Sequence, residues 1–229
     1  MRKVVAIHQP NYLPWIGFFQ KMALVDIFVI LDTVQFSKDS YTQRTKIRTK
    51  EGWIWLTIPV DRKFYFRQIN EVRLPGNSKW MKKHKTSVIA NYAKTPFFDK
   101  NFIERYYQNE FVKLQEFNEF GIFYLKDKFG IRTEVVRASE LEVDKNLKST
   151  ELLVEIVKRV GGDVYISGIG GKKYIEEEKF EKEGIEIKYF EFKPFEYSQR
   201  WEGFEPYMSA IDLLFNMGEE SKHYIHQGK

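Results

Sequence analysis

The 229-residue chain contains no cysteine. That absence excludes a disulfide framework, a thiolate nucleophile and any metal site built on cysteine. Histidine is scarce, at 4 residues, and no His/Asp/Glu group has the spacing of a metal-ligand set. No apolar run reaches the roughly 20 residues that a membrane-spanning helix needs. Met1-Arg2-Lys3 leads straight into Val4-Val5-Ala6-Ile7, too short an apolar run for a secretion signal. The expectation is a soluble, cytoplasmic protein. Internal repeats, low-complexity tracts and clear linkers are also missing, so the simplest organisation is one α/β domain over residues 1–229, with a mainly helical insertion at about 78–130.

Aromatic residues, by contrast, are abundant: 20 Phe, 13 Tyr and 5 Trp make up 17% of the chain. Much of the core must therefore be packed rings, with some rings left over to form a surface for flat or sugar-like ligands. The net charge of +5 is unevenly placed. Residues 1–100 hold 18 Lys and Arg against 7 Asp and Glu, whereas residues 101–229 hold 19 against 25. A basic first part suits an anionic partner, either a phosphate-bearing small molecule or a nucleic acid, although a Lys-rich solvated surface gives the same balance.

Periodicity predicts strands at 4–8, 26–31, 53–60, 71–75, 133–138, 163–168 and 185–192. Helices are expected at 15–24, 80–92, 102–129 with a break near Gly121, from 149 to a stop at Gly161-Gly162, at 172–184 and at 208–218. In the second of these, Trp80, His84, Val88 and Tyr92 recur every four residues along one face. Strand, helix and strand alternate at both ends of the chain. The fold class is therefore α/β with a mostly parallel open sheet, Rossmann-like.

Open parallel sheets bind ligands beyond the carboxyl ends of their strands. Three unusual stretches fall at such ends. "HQPNY" follows the first strand, where His8 is a candidate general base and Gln9, Asn11 and Tyr12 are candidate substrate contacts. "DTVQFSKDSYTQRTKI" follows the second. It offers Asp32 to orient substrate or histidine, with Gln35, Tyr41, Arg44 and Lys46 for binding. Arg44 and Lys46 alternate as they would on an extended segment facing phosphates. "SGIGGKKY" follows the late strand. Its Ser167, Gly168, Gly170 and Gly171 let backbone amides approach an anion, and Lys172 and Lys173 open the expected helix. The glycine and lysine spacing is not that of a Walker A loop. A further loop, "YSQRWEGFEP" at 197–206, mixes polar and aromatic residues in a way that suits sugar recognition. No metal ligand is expected.

The stretches "HQPNYLPWIGFF", "DTVQF", "YTQRTKI", "WLTIPV", "ANYAKTPFF", "DVYISGIGGKKYI" and "GFEPYMSAIDLLFNMGEES" run almost end to end. In that order they resemble the WbqC-like protein family of bacteria. The chain departs from the family pattern at Gln43 and Thr45, where asparagines would be expected beside Arg44. The family is associated with O-antigen and surface-polysaccharide gene clusters, and some members are described as glycine transferases acting on amino sugars. A looser likeness is to the nucleotidylyltransferase-like α/β fold. The stretch Trp15-Ile16-Gly17-Phe18 stands where those enzymes carry His-x-Gly-His, so both histidines are absent and only His8 lies nearby.

What the resemblance implies is a transferase that acylates, or glycylates, an amino sugar carried on a nucleotide in O-antigen or surface-polysaccharide biosynthesis. ATP or another activated acyl donor would be the co-substrate, and the partner a nucleotide-linked or phosphorylated small molecule. The alternatives are a nucleotidyltransferase and a non-catalytic nucleotide- or nucleic-acid-binding protein. Nucleic acid is disfavoured because the basic residues do not gather in one helix or stripe.

Overall fold

The computed structural model describes residues 2–108 and 111–227. In chain order, β1 (Val4–His8) leads through α1 (Ile16–Ala23) to β2 (Ile27–Ile30). A hairpin of β3 (Arg44–Thr49) and β4 (Gly52–Thr57) follows, and then the helices α2 (Lys79–Tyr92), α3 (Lys100–Gln108) and α4 (Leu114–Lys128). The chain returns through β5 (Glu134–Arg137), α5 (Ser149–Arg159), β6 (Val164–Gly168), α6 (Glu177–Glu181) and β7 (Glu186–Phe190), and closes with α7 (Ala210–Met217) and α8 (Ser221–Ile225). Strands β5-β2-β1-β6-β7 form one sheet in that order, every neighbouring pair parallel. This is the open Rossmann-like sheet that the alternating pattern predicts.

Side-chain alternation divides the core between the two faces of the sheet. Val5, Ile7, Ile27 and Val29 pack with Leu153, Ile156 and Val157 of α5 and with Phe180 of α6. Ala6, Phe28 and Ile30 belong to the larger core on the other face, with Phe18 and Phe19 of α1 and side chains from α2, α3, α4 and α7. The aromatic surplus is spent here, since Tyr12, Tyr92, Tyr106 and Phe117 are all fully buried. Each buried large apolar side chain contributes about 1.5–3 kcal/mol.

Several expectations needed correction. Residues 71–75 form no strand; Ile69–Glu71 make a short 3-10 turn, and Arg73 only bridges to Lys113. The helical block is not broken at Gly121, which lies inside α4, where a Cβ would sit 3.1 Å from the Tyr106 hydroxyl; the glycine serves close packing against α3. No single helix spans 172–184 either. Residues Ile169–Lys173 form a 3-10 turn, and α6 is five residues long with Glu177 and Glu178 in its first turn. Lys172 and Lys173 therefore do not open a helix. The polar run after β2, for its part, contains a full strand, β3, paired antiparallel with β4.

The expected face of α2 is buried as predicted, and Trp80, His84, Val88 and Tyr92 are its buried residues. His84 Nδ1 lies 3.1 Å from the Tyr12 hydroxyl, which in turn lies 2.5 Å from that of Tyr107. Burial pulls His84 down from 6.5 to about 4, and the nearby Lys83 charge acts in the same direction. Between these two values the unfolded chain binds a proton at His84 that the folded chain does not, so stability falls as pH drops from 6.5 toward 4. Denaturant midpoints measured across that range should decline in the wild-type protein and decline less in His84→Asn.

Candidate functional site

At the carboxyl edge of the sheet, His8, Gln9, Asn11, Trp15, Ser40, Tyr41 and Tyr207 line a cleft of about 410 Å³. Its size falls in the range of small-molecule sites. The loop between β1 and α1 forms one wall, and it is fastened from three directions. Asn118 of α4 donates to the carbonyls of Pro10 (3.0 Å) and Thr42 (2.7 Å). Thr45 Oγ1 and Ser209 Oγ both donate to the Leu13 carbonyl, at 2.9 and 2.8 Å. The backbone amide of Ala210 donates to Pro14 (2.8 Å), and that of Tyr12 to Tyr41 (2.9 Å). Gly17 leaves room for the Trp15 ring, because a Cβ at that position would lie 2.3 Å from it. Trp15 then stands edge-on to Phe192 at 4.9 Å and 6.1 Å from Tyr207, so the mouth is aromatic. Tyr207 holds a left-handed backbone with φ of 62°.

His8 ends β1 with its ring against Phe18 (4.9 Å) and Phe28 (6.5 Å). Its Nδ1 lies 3.0 Å from the Gln9 carbonyl. A carbonyl only accepts, so Nδ1 carries the proton and Nε2 keeps the lone pair. Burial lowers the imidazole from 6.5 to about 3, and the Lys21 charge adds to the effect. Lys21 is only 3% exposed; its Nζ donates to the Ile7 carbonyl at 3.2 Å and lies 5.9 Å from the Phe28 ring centre. Burial brings this lysine down to about 7. Asn11, also 3% exposed, has no hydrogen-bond partner for its Nδ2 among the described residues. A buried amide donor left unpaired costs about 1–3 kcal/mol. Gln9 accepts from Thr42 Oγ1 at 3.3 Å.

The sequence-predicted residues thus separate. His8, Gln9, Asn11 and Tyr41 meet in the cleft. Tyr12 does not reach it, being fully buried with its hydroxyl committed to His84 and Tyr107. Asp32 accepts from the backbone amide (2.9 Å) and hydroxyl (2.5 Å) of Ser139, tying the end of β2 to the turn after β5. Gln35 donates to the Tyr65 carbonyl at 3.4 Å. Arg44 and Lys46 lie on β3, against the rings of Trp55 and Trp53 respectively.

The glycine-rich turn leaves β6 at the same edge of the sheet as the β1 loop, but none of its residues lines the His8 cleft. There, Gly168 and Gly170 face open space, whereas a Cβ at Gly171 would collide with Ser167 Oγ. Ser167 Oγ donates to the Gly168 carbonyl at 3.1 Å, Lys172 Nζ lies 4.9 Å from the Tyr189 ring centre, and Lys173 is exposed. The loop at 197–206 spends its polar groups on α7 and β3. Tyr197 and Gln199 donate to Asp212, and Arg48 donates to the carbonyls of Glu202 and Gly203. Gln43 and Thr45, the two departures noted in the sequence, are both buried ties, to Ile58 and Leu13. Among the described residues no group of His, Asp and Glu is arranged to hold a metal, and no helix is long and apolar enough to cross a membrane.

Four contributors to the site were missed from sequence: Trp15, Ser40 and Tyr207 in the lining, and Lys21 behind the histidine. A signal for the last was present, since Lys21 is the one charged residue within the apolar stretch from Ile16 to Ala23. Nitrogen-15 NMR of the histidines should find His8 with a bare Nε2 at neutral pH and no protonation until well below pH 5. Lys21→Met should move that titration upward. A His8 midpoint near 6.5 in the wild-type protein would contradict the arrangement.

A family model described as the WbqC-like protein family matches residues 9–224. An uncharacterized protein of Mycobacterium tuberculosis (strain ATCC 25618 / H37Rv), Rv1507c, is 31% identical over 227 residues, covering 97% of each chain. No solved structure matches.

Proposed function

The chain belongs to the WbqC-like protein family, and from that premise we propose that it is a transferase that acylates the amino group of a nucleotide-linked amino sugar, with glycyl as the acyl unit. The observation that carries the reading is His8, a neutral imidazole whose tautomer is fixed by the Gln9 carbonyl and which lines an aromatic-walled cleft. Trp15, Tyr41 and Tyr207 suit the apolar face of a sugar ring, and the unpaired amide of Asn11 suits a ring hydroxyl or the acyl oxygen. The amine nitrogen attacks the acyl carbon, its proton passes to Nε2 of His8, and the activating group of the donor departs. ATP, or an acyl group activated beforehand, supplies that leaving group.

Burial, more than the Lys21 charge, holds His8 well below the range near working pH that suits a general base, so at neutral pH it is unprotonated but a weak base. Lys21 depresses His8 while it is charged, and Lys21 loses its own proton near 7. Base strength at His8 therefore grows as Lys21 deprotonates. Two outcomes follow for turnover with a competent amino-sugar nucleotide. His8→Gln should lower kcat by about 10²–10⁴-fold while leaving substrate binding largely intact. The wild-type rate should rise with pH across the interval around 7, and Lys21→Met should flatten that rise. A His8→Gln enzyme with undiminished kcat would overturn the assignment.

A further inference from the structure

The β3–β4 hairpin carries a surface that the cleft chemistry leaves unused. In its register Lys46 pairs with Trp55 and Arg48 with Trp53, so cations and indoles share one face. The Arg44 guanidinium lies 4.3 Å from the Trp55 ring centre, and Lys46 Nζ lies 4.0 Å from that of Trp53 and 5.3 Å from that of Trp55. Tyr41 stands edge-on to Trp55 at 5.7 Å, as Trp53 does on the other side at the same distance. This ladder is open to solvent, with Tyr41 39% and Trp53 40% exposed. Tyr41 also lines the His8 cleft, so the ladder starts at the cleft mouth.

Among the described residues Arg44 has a single, long and exposed ion pair, and Lys46 has none. The nearest carboxylate to Arg44 is Asp39 at 3.9 Å, and Arg44 Nε is buried without a hydrogen-bond partner among the described residues. Ring faces hold cations in place without neutralising them, so two like charges are kept fixed and close together. The third basic residue in the alternation, Arg48, turns inward. It donates to Gln199 and to the carbonyls of Gly52, Glu202 and Gly203. The row of available cations is therefore two long and ends there.

We propose that Arg44 and Lys46, held against Trp55 and Trp53, bind the diphosphate of an extended ligand whose other end occupies the His8 cleft. This rests on the reading of a nucleotide-linked substrate and assigns the part of the chain that recognises the link. Two fixed cations at the mouth of a cleft match two adjacent phosphates. A nucleic-acid strand would need the row to continue, and Arg48 ends it.

Tryptophan emission can be followed while the full chain is titrated with inorganic pyrophosphate, orthophosphate and a short oligothymidylate. Pyrophosphate should perturb the emission and bind at least about tenfold more tightly than orthophosphate. Arg44→Gln and Lys46→Gln should each weaken it by about tenfold or more, Lys46→Arg should restore most of the loss, and His8→Gln should leave it unchanged. Circular dichroism and melting temperature, unaltered in the Gln variants, separate this result from misfolding. The proposal falls if pyrophosphate gives no signal at millimolar concentration, or if folded Lys46→Gln binds it like the wild-type protein. It falls equally if oligothymidylate binds more tightly than pyrophosphate with a steep salt dependence. Because no amino sugar is needed, failure here leaves the His8 assignment standing, and loss of that assignment leaves pyrophosphate binding to be judged by itself.

Discussion

The carbonyl of Leu13 is the point on which the cleft depends. It belongs to a fully buried residue with φ of 38°, and takes hydrogen bonds from Thr45 on β3 and Ser209 at the start of α7. A buried carbonyl without a partner is costly. Satisfying this one draws together three segments that are remote in sequence. Asn118 does the same for Pro10 and Thr42 from a fourth. The loop that presents His8, Gln9 and Asn11 is thereby held by side chains on regular elements, the arrangement that keeps a site in fixed geometry.

The parallel sheet was legible because β1, β2 and β6 are short apolar runs whose alternate residues both face packed layers. The edge at which ligands collect follows from the same topology. The site itself was only partly legible. His8, Gln9, Asn11 and Tyr41 could be placed from their positions at strand ends. Asp32 and Tyr12 stand in the same stretches but turn away, and spacing along a loop carries no information about which way a side chain points. Strand β3 was half legible: Arg44 and Lys46 alternate as on an extended segment, but its pairing was not. Arg44, Lys46 and Arg48 resemble solvated charge until the indoles of β4 are set beside them, and that pairing spans a turn. The helix expected after the glycine-rich turn failed because Tyr174-Ile175 fold back, with Ile175 packing into the core beneath β6.

Electrostatics at the site runs against ordinary surface practice. His8 and Lys21, both titratable, are set among aromatic and aliphatic side chains where charge is disfavoured. Each is destabilising in its charged form, and among the described residues neither has an acid to offset it. Departures of this kind gather where chemistry is done. The pair also differs from a simple buried histidine such as His84, whose hydrogen-bond partner Tyr12 lies wholly inside the core.

The centre of the sheet has an implication for biosynthesis. Strand β1 takes β2 as one neighbour, but its other neighbour, β6, pairs Val164 with Val4 across most of the polypeptide. During translation the emerging first strand therefore has one edge that stays unpaired until the distant segment leaves the ribosome. An apolar edge waiting that long invites the wrong partner. The native connection thus makes closure of the sheet's centre a non-local event, set by topology rather than by any single residue.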